Sequence, residues 1–411
     1  MAIRQAVILV GGLGTRLRAL GLNCPKPMAE IAGRPFLEHV VMTLARFGIR
    51  EVLLIAGYKG ELVHQTYHDR QLFGVTLQVA VEPEPLGTAG ALGFVLDRLD
   101  ETVVVANGDS LFWADYTGLL SAPLPDDVSG RLLLRHIDDA SRYGTVETDT
   151  DHRVVAFAEK VANAGPKSIS AGVYVLRSSA LRASIDRSPM SLEVDVFPGW
   201  AADRKLEAIT QTGYFIDIGL PETYHEASRD VSGVIERPAV FLDRDGVINH
   251  DLGYTYRPED LVFTPQAVEA IRAINTAGYY AIAVTNQAGV ARGYYTIADA
   301  ERFHAVMQQR LMEKGAHIDA FYMCPYHPDG IVPEYRGHHE DRKPNPGMIN
   351  RAFNDWPLRH TGSFLIGDKE SDLQAARSAG IPAYVMTENT GNLLAIVNDC
   401  FERIQKSPNS I

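Results

Sequence analysis

The chain has 411 residues, 46% of them hydrophobic and 22% charged, with a formal net charge of -12. That length exceeds one ordinary core and implies two or three domains of about 150 residues each. The acidic balance excludes a general binder of nucleic acid or of anionic membranes, which needs a basic surface, but leaves small anionic metabolites as partners.

Three widely spaced cysteines, Cys24, Cys324 and Cys400, imply no disulfide framework. The N-terminal apolar run is too short for a signal peptide and no stretch approaches a membrane span, so a cytoplasmic protein is expected. Nothing in the sequence fixes the oligomeric state, and a homo-oligomer is compatible with it.

Residues 6–10 read as an apolar strand running into Gly11-Gly12-Leu13-Gly14-Thr15-Arg16-Leu17. Glycines there let backbone N–H groups approach a polyphosphate, and Arg16 adds a charge-assisted fork. The spacing fits neither the dinucleotide GxGxxG nor a Walker A loop. Pro25-Lys26-Pro27 then places a lysine fixed between prolines where it can return to the same phosphates. Together GGLGTRL and PKP resemble the signature of the sugar-phosphate nucleotidyltransferases.

Further along, residues 36–47 read as a helix closed by Gly48, and residues 51–55 as the next strand, the β-α-β alternation of a parallel sheet. The stretch from Glu82 to Gly90, with Gly87 and Thr88, is similar to the family's loop framing base and sugar, although Pro and Gly also make plain turns. Residues 103–106 form a strand ending in Asn107-Gly108-Asp109, and a carboxylate at the carboxyl end of a parallel strand is where a ligand crevice lies.

By resemblance, Asp109 is a magnesium ligand, Asp217 completes a two-carboxylate site, and Glu159-Lys160 lies near the sugar phosphate. Ser170-Ala171-Gly172 stands where many members have Asn-Ala-Gly, which puts one sugar contact in doubt while keeping Gly172. Arg142-Tyr143-Gly144-Thr145-Val146 and the run FIDIGLPETY are most similar to the branch that guanylylates D-glycero-α-D-manno-heptose 1-phosphate, with mannose-1-phosphate guanylyltransferases as the nearest competitors. The implied reaction joins a sugar 1-phosphate to GMP from GTP with loss of pyrophosphate. Gly11, Gly12, Gly14, Thr15 and Asn107 would bind nucleotide, and Arg16 and Lys26 would offset phosphate charge. This domain is expected over residues 1–232, followed by a short seam from Ser232 to Pro238.

Residues 239–242 are a buried strand ending in Asp243-Arg244-Asp245-Gly246, whose carboxylates at i and i+2 point to one side. Taken alone, that is also an acidic turn, and an EF-hand is excluded by the apolar residues that follow. Later strands over residues 282–285 and 364–367 end in Thr285-Asn286-Gln287 and in Asp368-Lys369-Glu370-Ser371-Asp372, and Arg342-Lys343-Pro344 supplies cations before a helix starting near Pro346.

Their order at strand ends resembles the four motifs of the haloacid dehalogenase-type phosphatases, over residues 236 to about 390, within a domain expected over residues 236–411. The resemblance makes Asp243 the nucleophile and Asp245 the acid and base. Thr285, Asn286, Arg342 and Lys343 become phosphate contacts, and Asp243, Asp245 (through its carbonyl) and Asp368 magnesium ligands with Asp372 in support. DRDGVIN, TNQAGVARG and GDKESDLQAA look like the heptose 1,7-bisphosphate 7-phosphatase branch, with histidinol-phosphate phosphatase as its relative.

Members carry zinc in Cys-x-His and Cys-x-Cys pairs. The aligned positions here are Cys324, Tyr326, His339 and Asp341, so no zinc is expected, and Mg²⁺ is the expected ion in both domains. The expected architecture is α/β in two domains: a Rossmann-like mixed-sheet nucleotidyltransferase and a haloacid dehalogenase-like Rossmannoid domain. The expected function is a bifunctional enzyme of GDP-heptose synthesis acting on GTP and heptose phosphates. The competing readings are a mannose-type guanylyltransferase fused to a phosphatase of other specificity, or to a non-catalytic sugar-phosphate sensor.

Overall fold

The computed structural model describes residues 3–12, 24–141, 143–158 and 165–406. The chain forms two compact units, the first ending at Val234 and the second beginning at Ile235.

In the first unit β1 (Gln5–Val10) lies between β2 (Glu51–Ala56) and β4 (Thr102–Asn107), and β3 (Val75–Val81) extends the sheet beyond β2, all parallel. These strands are covered on both faces, which is why they are near-continuous runs of Val, Ile, Leu and Ala instead of alternating ones. Helix α1 (Phe36–Arg46) makes the crossover from β1 to β2, and α2 (Gly87–Phe94) follows β3. Residues 87–90 therefore open a helix, where a framing loop was expected. Gly87 has φ +74° and an added Cβ would stand 2.5 Å from the Met190 carbonyl oxygen, so only glycine fits that entry.

Beyond β4 the sheet turns antiparallel. β5 (Ser110–Ala114) leaves it, β6 (Gly130–Ile137), β7 (Thr145–Thr148), β8 (Val154–Ala158) and β9 (Lys167–Arg177) extend it, and β10 (Leu206–Gln211) runs parallel to β6. A separate ribbon pairs β5 with β11 (Gly213–Asp217) in the register Ser110↔Asp217. That register carries Asp217 to the end of β4. The unit's core includes Val7, Val105, Leu132, Tyr174, Phe197 and Trp200.

Helix α3 (Pro221–Ile235) and strand β12 (Arg237–Leu242) leave only Glu236 between them. The expected seam from Ser232 to Pro238 is thus corrected: Gly233 is absorbed in the helix and Pro238 in the strand. Pro238 is tolerated because the pairing of β12 with β15 shifts register just after it, and Ser363 Oγ accepts the Ala239 N–H at 2.8 Å.

The second unit is a five-stranded parallel sheet in the order β14-β13-β12-β15-β16, formed by β12, β13 (Tyr280–Asn286), β14 (Ala320–Cys324), β15 (Leu358–Gly367) and β16 (Ala383–Val385). Helices α4 (Ala267–Thr276), α5 (Ile297–Met312), α6 (Gly347–Asp355), α7 (Glu370–Ser378) and α8 (Leu393–Lys406) complete it. β12 is the first strand of this unit in sequence and the middle one in space, so the crossovers diverge on either side of its carboxyl end. That divergence is the switch point where doubly wound sheets form their crevice. Among the described residues, no helix is long and apolar enough to cross a membrane.

Candidate active sites

In the second unit the register Leu242↔Ala283 and Leu242↔Ile366 ends three strands at one level. Asp243 follows β12, Thr285 lies at the end of β13, and Asp368 follows β15. Asp243 donates its backbone N–H to Ile366 at 3.0 Å, and its Oδ1 accepts from Arg244 N at 2.8 Å. Lys343 Nζ stands 2.8 Å from Asp243 Oδ1 and 2.7 Å from Asp372 Oδ1, and donates to the Val284 carbonyl at 2.8 Å. Lysine and both carboxylates are buried. Burial pushes the Asp243 carboxyl well above the usual range, with Lys343 pulling the other way. Burial also opposes the charge on Lys343, but Asp243 and Asp372 more than offset that and raise it.

Asp243, Asp368 and Asp372 offer three oxygens within 4.8 Å of one another. Both Asp368 oxygens are buried without a hydrogen bond, and the Lys369 ammonium lies beyond bonding reach at 3.7 Å. An ionised carboxylate in that state needs a cation, and an all-oxygen donor set suits Mg²⁺. Gly246, at φ +87°, leaves room for this trio, because a Cβ there would stand 2.5 Å from Asp368 Oδ2. Asp372 thus joins the cluster directly. The Asp245 side chain does not, since its carboxylate faces Arg244, Asn249 and Gln287.

Asp368→Asn should leave the metal-free fold intact, because the amide keeps the shape of the carboxylate. It should also delete one Mg²⁺ site from a calorimetric titration. An unchanged number of sites would show that the trio holds no ion.

The Asp245 carboxylate accepts Arg244 Nη2 at 2.8 Å, Asn249 Nδ2 at 3.0 Å and Gln287 Nε2 at 3.0 Å. Arg244 is fully buried, lies over the Phe303 ring at 4.6 Å, and reaches the Thr255 carbonyl at 2.6 Å. Gln287 also donates to Thr285 Oγ1 at 2.8 Å and is itself held by Tyr295 OH at 2.6 Å.

Asn286 has a different place from the one expected. Its Nδ2 donates to the Lys343 carbonyl at 3.0 Å and its Oδ1 accepts the Lys343 N–H at 3.1 Å, so both ends position the lysine. Arg342 Nη1 donates to the Tyr326 carbonyl at 3.1 Å. At the positions aligned with the family's zinc ligands, His339 stacks on Tyr326 at 4.3 Å, Asp341 pairs with Arg351, and Cys324 is buried.

The first unit's site forms where β4 meets the β5–β11 ribbon. Ile218 N donates to the Asp109 carbonyl at 3.0 Å, which fixes the two carboxylates side by side. Lys26, in a single 3₁₀ turn after Pro25, lies between them, 2.7 Å from Asp109 Oδ2 and 3.3 Å from Asp217 Oδ1. The two carboxylates are partly exposed and converge, which fits an ion with few protein ligands and several waters or phosphate oxygens.

Beside them is a cavity of about 310 Å³ lined by Asn107, Gly172, Tyr174, Glu193, Phe215 and neighbours. Gly172 has φ +73°, and a Cβ there would lie 2.8 Å from Asn107 Nδ2. Gly11 and Gly12 are exposed at the end of β1. Thr88 Oγ1 donates to Glu193 Oε2 at 2.9 Å and accepts the Leu192 N–H at 2.8 Å, so its hydroxyl holds the segment after Met190. Gly14, Thr15, Arg16, Glu159 and Lys160 lie outside the described residues.

The nucleotidyl transferase pattern matches residues 5–233, more than half of the chain, and a HAD-hydrolase-like pattern matches residues 341–393. The chain belongs to the nucleotidyl transferase family, fused to a HAD-like phosphatase.

This nucleotidyl transferase is 35% identical over 232 residues to a D-glycero-alpha-D-manno-heptose 1-phosphate guanylyltransferase of Aneurinibacillus thermoaerophilus, covering 56% of this chain and 100% of that one. It is 38% identical over 261 residues to a mannose-1-phosphate guanylyltransferase of Mycobacterium tuberculosis, covering 61% and 72%. Its phosphatase half is 47% identical over 148 residues to a D-glycero-beta-D-manno-heptose-1,7-bisphosphate 7-phosphatase of Rhodopseudomonas palustris, covering 36% and 82%.

Proposed function

We propose that the protein carries out two consecutive steps of GDP-heptose synthesis. The second unit removes the 7-phosphate of D-glycero-α-D-manno-heptose 1,7-bisphosphate, and the first joins the resulting 1-phosphate to GMP from GTP. One observation carries this reading: the two halves are similar to enzymes whose named substrates are successive and of the same anomer, a D-glycero-alpha-D-manno-heptose-1,7-bisphosphate 7-phosphatase of Burkholderia mallei and the D-glycero-alpha-D-manno-heptose 1-phosphate guanylyltransferase. The Mycobacterium tuberculosis relative favours a second reading of the first unit, mannose 1-phosphate as acceptor. Mannose activation gives no use to a 7-phosphatase, so the fusion favours heptose. In this reading the protein works in the cytoplasm on GTP and free sugar phosphates, with no need of nucleic acid or membrane.

In the phosphatase, an Asp243 oxygen attacks phosphorus, and the sugar oxygen leaves with a proton from Asp245 as aspartyl phosphate forms. Water, deprotonated by Asp245, then attacks that phosphorus, and phosphate departs with Asp243 restored. The bonds from Arg244, Asn249 and Gln287 support a waiting position from which the Asp245 side chain turns toward the sugar oxygen. Lys343 and Thr285 hold the phosphoryl oxygens. Bound at Asp243, Asp368 and Asp372, Mg²⁺ would lessen repulsion between nucleophile and phosphate.

In the transferase, an oxygen of the sugar 1-phosphate attacks the α-phosphorus of GTP and pyrophosphate leaves. Lys26 and Arg16 offset charge on the phosphates, and no protein nucleophile is needed. Asp109 and Asp217 would hold Mg²⁺, which neutralises the triphosphate.

The test is an assay with Mg²⁺, GTP and the α-bisphosphate that follows phosphate and pyrophosphate separately. Release of both, with pyrophosphate lagging, is expected. Phosphate without pyrophosphate overturns the transferase assignment, and release of neither overturns the pathway.

A further inference from the structure

Glu193 belongs to none of the motifs that mark the transferase site, yet its carboxylate is part of the cavity wall beside Asp109 and Gly172. It stands on the short helical segment Leu192–Val196, entered through Ser191. Its Oε2 accepts from Thr88 Oγ1 at 2.9 Å and Ser191 Oγ at 3.0 Å, which fills that oxygen. Among the described residues Oε1 accepts only Tyr174 OH, at 3.2 Å, leaving room for one more donor.

Ser170, the departure from the family's Asn, explains how that oxygen is aimed. The Gly172 N–H donates to Ser170 Oγ at 3.2 Å, Ser170 Oγ donates to Tyr174 OH at 3.3 Å, and Tyr174 donates to Glu193. At the cavity wall, the Ser170 hydroxyl is spent on holding the tyrosine. Burial and the Glu193 carboxylate both keep the Tyr174 phenol protonated, as a fixed donor.

We propose that Glu193 is a specificity residue of the sugar subsite, accepting a hydrogen bond from a ring hydroxyl of the sugar 1-phosphate, with Ser170 and Tyr174 as positioning residues. This rests on the reading of the first unit as a sugar 1-phosphate guanylyltransferase. The chemistry selects the ligand group: a carboxylate repels the phosphates of both substrates, and what it binds in a cavity of this size is a neutral donor. The cavity is also lined by residues 170–172, the irregular stretch of β9 that stands where the family's sugar contact is expected, which favours the sugar over the guanine base.

The test compares wild type with Glu193→Gln in guanylyl transfer, using D-glycero-α-D-manno-heptose 1-phosphate and, separately, mannose 1-phosphate as acceptors. If wild type uses mannose and not heptose 1-phosphate, the heptose reading fails and the Glu193 test proceeds with mannose. Glu193→Gln should raise KM for the sugar phosphate about 10–100-fold, the loss of one charged hydrogen bond, with KM for GTP and the melting temperature unchanged.

Among monodeoxy forms of whichever sugar 1-phosphate the wild type accepts, one should lose about 10–100-fold in kcat/KM with wild type and almost nothing with the variant. Tyr174→Phe should raise the same KM by less and leave GTP untouched. If Glu193→Gln does not fold, Glu193→Asp replaces it, keeping the charge at shorter reach, with the same deoxy comparison. A rise in KM for GTP, or equal sensitivity of both proteins to every deoxy position, overturns the proposal.

Discussion

Asp243→Asn should lower phosphate release from the bisphosphate by at least about 10³-fold, the scale of losing a catalytic nucleophile. Guanylyl transfer to supplied sugar 1-phosphate should stay intact. An amide cannot form the acyl phosphate, but its oxygen can still accept the Arg244 N–H and the Lys343 ammonium that Asp243 Oδ1 accepts at 2.8 Å each. The fold should therefore survive, and loss of a buried charge should leave the variant at least as stable as wild type. Parallel measurement of phosphate, pyrophosphate and melting temperature checks all three. Phosphate release within tenfold of wild type would remove Asp243 from the role of nucleophile. A parallel loss of pyrophosphate from supplied heptose 1-phosphate would mean that the damage was general.

Lys343→Met should act through stability as well as chemistry. The ammonium lies between Asp243 and Asp372, all three nearly inaccessible to water, and without it two buried carboxylates lose their counter-charge. Breaking a buried pair from one side costs about 3–5 kcal/mol. The pH dependence follows in sign. Burial already raises the Asp243 carboxyl, and removing the lysine, which pulls it down, raises it further. A carboxyl raised in the folded state contributes stability below its unfolded value, and that contribution is lost as pH rises through the folded value. The variant should thus be weakest at pH 8 and recover toward pH 5, as read by urea melts across that range. Equal destabilisation at both ends would show that the charge pairing is not the cause.

Strand ends were the legible part of this molecule. Residues 6–10, 103–106, 239–242 and 364–367 are apolar runs stopped by Gly, Asn or Asp, and in parallel sheets those stops are the crevice, so Asp109, Asp243 and Asp368 could be placed from sequence. What the sequence did not disclose is which donors each polar group meets. Asn286 was expected at a phosphoryl oxygen, and its amide instead brackets the Lys343 backbone.

Asp245 was read as the acid and base, with its carbonyl on the metal, and nothing in the motif told that its carboxylate is held by Arg244, the residue between the two acids. Gly87 was expected in a loop because Pro and Gly precede helices as readily as turns, and the deciding contact, Met190, is remote in sequence. Glu193 carried no signal beyond its chemistry. A capping serine and a carboxylate two residues later are too common to mark a cavity wall.

The middle position of β12 has a consequence for how activity is acquired. Its partners β13 and β15 come later in the chain, and the far one arrives only after most of the second unit has been synthesised. Pairings between such distant segments cost loop entropy before they return any contact energy, and they form slowly. The nucleophile therefore exists from the outset as a side chain but becomes a site only when Ile366 closes beside Leu242. During refolding, the return of phosphate release should time that closure and should lag the return of helical signal.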